Sequence, residues 1–230
     1  MSLPAILIRP LPTKLIEKIE SWQHRVREPA LTALLLGQFV ALFVLGPLCS
    51  TQVLPLATVN GMQVLLILLS YFALPQASRV RALLLVCLVP MAWVTCVWSN
   101  QYIGLSLSLV VTASITVAVA LAVFQAPRIT SHQLLGAVVV YLNLALLFMS
   151  AFQLLNMAFS GAFTTAAHEA IHSGELLYFS LTTLTSTGYG DILPVHPLAR
   201  SLANLEAVVG QLFLAILLAR LVSQHNGGRS

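Results

Sequence analysis

Charge is what this chain has least of. Lys, Arg, Asp and Glu supply 8% of its 230 residues and hydrophobic residues 58%, whereas charged residues make up about a quarter of a soluble domain. So little polar surface excludes a water-soluble globular fold and implies a membrane protein. Acidic side chains are scarcer than basic ones, 7 against 11, for a formal charge of +4. A basic balance raises nucleic acid as a partner, but the Lys and Arg residues are scattered among apolar runs and form no stripe, so none is expected. Cysteine is also rare. Cys49, Cys87 and Cys96 lie in or beside apolar segments without metal-ligand spacing or a disulfide framework, and read as small buried hydrophobes. There is no evident secretory signal and no internal repeat.

What is present is a sequence of long uncharged runs. Residues 1–28 hold eight of the 18 charged residues. There Leu15, Ile16, Ile19, Trp22 and Val26 recur at helical spacing, with Lys14, Lys18, Arg25 and Arg27 elsewhere around the helix. This predicts an interfacial amphipathic helix, either a membrane-surface anchor or a cytoplasmic cuff near a pore. Residues 29–78 contain no charge, enough for two spans of roughly 20 residues. Gly46-Pro47, Pro55 and Asn60-Gly61 divide them into helices near 31–48 and 60–75. A second uncharged run, 82–127, breaks at Trp98-Ser99-Asn100-Gln101 and yields helices near 82–98 and 104–125, with a kink expected at Pro90. Further helices are predicted over 134–159, 174–185 and 198–222. With six spans alternating, ten of the eleven Lys and Arg residues fall on one side and only Arg200 on the other. That bias makes both termini cytoplasmic.

Between the last two spans lies Thr185-Ser186-Thr187-Gly188-Tyr189-Gly190-Asp191. Two glycines around a tyrosine describe a backbone with unusual φ values that presents its carbonyls to something. Four copies around one axis create rings of oxygens suited to a dehydrated monovalent cation. This stretch resembles the selectivity filter of tetrameric potassium channels, and six spans with a pore loop between the fifth and sixth resemble the voltage-gated-like superfamily.

The resemblance implies an all-α membrane protein: six transmembrane helices, a re-entrant pore helix and filter loop between helices five and six, and a homotetramer around a central pore. It divides the chain into an interfacial helix (1–28), a four-helix peripheral domain (29–127) and a pore domain (128–230). It also implies potassium ions at Ser186, Thr187, Gly188, Tyr189 and Gly190, with Asp191 supporting the filter and Tyr189 bracing it against the pore helix. No cofactor beyond those ions is expected; the partners are three identical subunits and the lipid bilayer of a plasma or bacterial inner membrane. Serine stands at 186 where the family usually has threonine, and loses the methyl that stiffens χ1. Thr187 stands in for valine or isoleucine, with a hydroxyl that needs a partner.

The fourth predicted helix carries no sensor charge, so strong voltage gating is not expected. The short connection 125–133, broken by Pro127, favours packing of the peripheral helices on their own subunit's pore. The chain ends eight residues after Val222, which leaves no expectation of a cytoplasmic sensing domain.

His168-Glu169-Ala170-Ile171-His172 matches the two-histidine zinc face of metalloproteases, but no third ligand follows at the required spacing. An intramembrane zinc protease is therefore one alternative, a potassium-transporter subunit another. On a channel, His168 and His172 are expected on a turret, where a ring of them would sense protons or bind zinc. Glu206 is the one acidic residue inside a predicted span, so it should have a partner. Pore-helix or filter hydroxyls such as Thr182, Thr183 or Ser186 are one expectation, because Thr182 occupies a pore-helix position where some relatives carry a bracing carboxylate; the other is a water pocket at a subunit boundary. Gly210 reads equally as an inner-helix hinge or a close-packing position, and Gln211 as a cavity-lining residue.

Overall fold

The computed structural model describes residues 32–45, 48, 65, 101–124, 131–165, 171 and 173–227. The expected amphipathic helix, the second and third spans, the three cysteines, His168 and His172 lie outside these residues.

Five described helices carry the architecture. We number them α1 (Thr32–Leu45), α2 (Gln101–Phe124), α3 (Ser131–Ala158), α4 (Ser173–Leu184) and α5 (Pro197–Gly227). Three segments, Tyr102–Leu121, Gln133–Ala158 and Pro197–Ser223, are long and apolar enough to cross a membrane. They are the fourth, fifth and sixth spans of the sequence reading, and α1 is the start of the first. Its last turn, Ala41–Leu45, widens to a π-helix. Proline explains two boundaries: Pro127 bars continuation of α2, and Pro197 opens α5 at the position where its missing N–H costs nothing.

The core has two parts. Towards one end, Val111, Ile115, Val119 and Val123 repeat every fourth residue of α2 and so share a face. They pack on Ala137, Val139 and Val140 of α3, and Leu34 of α1 joins them. Between α1 and α3 a buried polar pair, Gln38 Nε2 to Asn143 Oδ1 at 2.6 Å, fixes their register; such hydrogen bonds hold helices together where apolar contact alone is not distinctive. Towards the other end, Phe148 and Phe152 of α3 meet Leu176 and Phe179 of α4 and Ala199 and Ala203 of α5. Phe152, Phe163 and Phe179 pack edge-on to one another with centroids 5.2–5.5 Å apart.

One element departs from an all-helical expectation. Strand β1 (Phe163–Thr165) pairs antiparallel with β2 (Ile192–Pro194), Thr164 opposite Leu193. Val195 and His196 extend the contact by donating to the Ala162 carbonyl at 2.9 and 3.2 Å. Three residues per strand are too few to show alternation, and the partners are distant in sequence. The ladder closes a loop that contains all of α4 and the glycine-rich stretch.

Candidate functional site

The glycine-rich stretch begins as the stop signal of α4. The Thr187 N–H reaches the Thr182 carbonyl at 2.8 Å and the Ser186 N–H reaches the Thr183 carbonyl at 2.9 Å. This pair of bonds closes a helix when the residue after its cap turns left-handed, and Ser186 has φ 56°. Glycine usually fills that position; serine accepts a strain of roughly 1–2 kcal/mol there. The Gly188 N–H also reaches the Thr182 carbonyl, at 3.2 Å. Thr182 therefore supports the loop through its main chain, while its hydroxyl turns back to the Phe179 carbonyl.

From Ser186 onward the backbone alternates in hand. Gly188 has φ 54° and Gly190 φ 78°, while Thr187 and Tyr189 are not left-handed. Alternation of this kind brings successive N–H groups to one side of the chain and leaves the carbonyls to the other. The two glycines are required by it, since a Cβ at either would meet no neighbour and the restriction is conformational.

Side chains fasten this ribbon to its surroundings. The Thr187 hydroxyl finds its partner in the Thr185 hydroxyl at 2.8 Å, and Thr185 in turn donates to the Leu181 carbonyl at 2.7 Å. The Tyr189 ring lies parallel to that of Tyr178 on α4, with centroids 6.1 Å apart. The Asp191 carboxylate lies near the Tyr178 hydroxyl, and its Oδ1 accepts the Ile192 N–H. Tyr189 remains 71% exposed on the single chain, a large surface left for a neighbour.

Helix α5 meets α4 along one edge. Glu206 and Gly210 are four residues apart and share a face, as do Ser180 and Leu184. An added Cβ at Gly210 would lie 2.1 Å from the Leu184 carbonyl oxygen, so this position must be glycine for the two backbones to approach, whether or not the helix bends there. The same carbonyl accepts the Tyr141 hydroxyl of α3 at 3.1 Å. Gln211, next along, donates from Nε2 to the Ser186 hydroxyl at 2.8 Å.

Glu206 is wholly buried and contacts Ser180, with Oε1 2.5 Å from the hydroxyl. The expected partners were Thr182, Thr183 and Ser186. Thr182 lies two residues, about 200°, around the helix from Ser180, which turns it away from α5. The Ser180 hydroxyl also donates to the Ala145 carbonyl of α3 at 2.8 Å. A hydroxyl has one proton and a carbonyl can only accept. The single Ser180 proton therefore lies between two acceptors, the Glu206 carboxyl of α5 and the Ala145 carbonyl of α3. The other Glu206 oxygen has no partner among the described residues.

At the far end of α5, Arg220 donates to the Val123 carbonyl at 3.3 Å, with its guanidinium 5.6 Å from the Phe124 ring centre. A cation on the last carbonyls of α2 complements the negative end of that helix. Ser180, Tyr178, Tyr141 and Arg220 were not singled out in the sequence. The available signal for Ser180 was a small polar residue on an otherwise apolar membrane helix.

Residues 132–225 match the model of a family described as ion channel. The chain is 35% identical over 72 residues to the inward rectifier potassium channel Kirbac3.1 of Paramagnetospirillum magnetotacticum, covering 31% of this chain and 21% of that protein. It is 35% identical over 83 residues to two pore potassium channel c of Oryza sativa subsp. japonica, covering 34% and 18%. The chain thus spans about a fifth of the length of these curated relatives. No solved structure matches it. The family and both relatives are ion channels, which are not enzymes.

Proposed function

We propose that this chain, whose residues 132–225 match an ion channel family and which resembles two potassium channels, is one subunit of a homotetrameric, potassium-selective pore. The observation that carries the reading is the alternation of backbone hand at Ser186, Gly188 and Gly190, anchored to the last turn of α4. In a fourfold assembly, α3 and α5 are the outer and inner helices, α4 is the re-entrant pore helix, and residues 186–190 are the filter. Carbonyls gathered on one side of each ribbon form stacked oxygen rings that replace an ion's hydration shell. The C-terminal end of α4 carries the negative end of its dipole to the filter's foot, and Glu175 sits in its first turn at the positive end. Both features favour a cation.

The exposed apolar face of α5, including Leu205, Val208, Leu212 and Ile216, supports burial against lipid or neighbouring copies. Residues 29–127 then form a peripheral domain on the pore domain of residues 128–230, in a plasma or bacterial inner membrane with both termini cytoplasmic. The uncharged α2 makes this domain insensitive to the membrane field. The zinc-protease alternative gives way to the family match; its His168 and His172 remain as turret groups, proposed to respond to external protons.

Purified protein in lipid vesicles under opposed potassium and sodium gradients tests the proposal. The reversal potential is expected to follow potassium, and a reversal near zero with equal permeabilities would refute it.

A further inference from the structure

The inner end of the glycine-rich stretch has one non-glycine left-handed residue, Ser186, and one inner-helix side chain bound to it, Gln211. Among the described residues this hydroxyl has no other side-chain partner: Thr185 and Thr187 are bonded to each other. A serine hydroxyl otherwise rotates among three staggered wells, whereas β-branching restricts threonine. If the hydroxyl is to offer a lone pair to a dehydrated ion, that rotation must be stopped by something. A hydrogen bond from a fixed donor is sufficient, because an oxygen with two lone pairs can accept from an amide and still face an ion.

The donor is well fixed at its root. Gln211 follows Gly210, whose Cα lies so close to the Leu184 carbonyl that a Cβ would overlap it. The backbone contact of α5 on α4 therefore sets the distance from which the Gln211 side chain reaches Ser186. Both side chains lie on the exposed side of the single chain, as groups lining a shared axis must.

We propose that Gln211 is a specificity-determining residue of the filter: its carboxamide holds the Ser186 hydroxyl in the rotamer that coordinates the innermost potassium ion, in place of the methyl group that threonine would supply. The proposal rests on the potassium-filter reading. It makes the selectivity of the innermost site depend on α5, and it makes position 211 matter only while position 186 is serine.

A double-substitution cycle in the full-length protein, reconstituted in vesicles, tests this. Gln211→Leu removes the donor and is expected to lower the potassium-to-sodium permeability ratio, on the order of fivefold for one neutral hydrogen bond. Gln211→Asn, one methylene too short, is expected to do the same. Ser186→Gly suits the left-handed backbone and removes the hydroxyl, so it should itself lower the ratio, and in that background Gln211→Leu should have no further effect. Size-exclusion chromatography reports assembly of each variant. Should Gln211→Leu not assemble, Gln211→Met carries the same expectation; failure of both would assign Gln211 a purely structural role and overturn the proposal. An unchanged ratio in assembled Gln211→Leu, or a further loss of equal size in the Ser186→Gly background, would also overturn it. A failure of the filter reading itself shows differently, as absent potassium selectivity in the unaltered protein.

Discussion

Glu206 offers the sharpest test of how the filter region is held. The buried chain Glu206, Ser180, Ala145 links α5, α4 and α3 through contacts of 2.5 and 2.8 Å. Replacing Glu206 with alanine deletes the first link and leaves a space where the carboxyl arm lay. The lost hydrogen bond is worth about 1–3 kcal/mol when a buried group is left without it, and the space adds about 1–2 kcal/mol. The expected cost is therefore about 2–5 kcal/mol per subunit. Glutamine keeps the shape, and its carboxamide oxygen can accept from the Ser180 hydroxyl as the carboxyl does, so Glu206→Gln should cost under about 1 kcal/mol. Aspartate is one methylene short and should fall between. The assay is tetramer survival on heating in detergent, read by size exclusion, beside the reversal potential in vesicles. A glutamine variant as damaged as the alanine one would show that the carboxyl group itself is required. An alanine variant with unchanged stability and selectivity would refute the brace altogether.

Gly210→Ala is expected to abolish the assembled channel, since its Cβ would meet main chain 2.1 Å away; Gly104→Ala, with open space around it, should be tolerated, and equal behaviour of the two on size exclusion would count against the α4–α5 contact. Arg220→Met removes the cation from the last carbonyls of α2. Hydrogen exchange in that turn should rise by roughly fivefold or more, in line with a terminal charge worth about 1 kcal/mol, and unchanged exchange would show the contact to be incidental. Open probability should stay nearly flat from about −100 to +100 mV, because each charge crossing the field contributes about 2.3 kcal/mol per 100 mV and α2 has none; a steep activation curve would contradict this.

Much of the helical framework and the glycine-rich stretch was legible because its signals are local. Apolar length and proline set α2, α3 and α5 to within a few residues of their observed ends, apart from the longer C-terminal end of α5, and the two glycines announced a left-handed backbone. What escaped depends on rotation and distance between elements. Serine gives no warning of a left-handed conformation, so Ser186 could be read as a loosened threonine but not as the closing residue of α4. The partner of Glu206 was sought among Thr182, Thr183 and Ser186 because they stand near the filter in sequence. Which side of α4 faces α5 is a tertiary fact, and it selects Ser180. Gly210 likewise reads as hinge or packing position until the Leu184 carbonyl is seen beside it. The strands β1 and β2 are too short for any periodicity to reveal.

The pairing of β1 with β2 has a mechanical consequence. Residues 166–191, with α4 and the whole glycine-rich ribbon among them, leave and rejoin the chain at one zipped base, Thr165 opposite Ile192. That base and the aromatic packing of Phe152, Phe163 and Phe179 tie the two ends of the segment together beside the direct contact of α3 with α5. The enclosed segment is a cassette: a change of length between its ends need not shift the helices outside it.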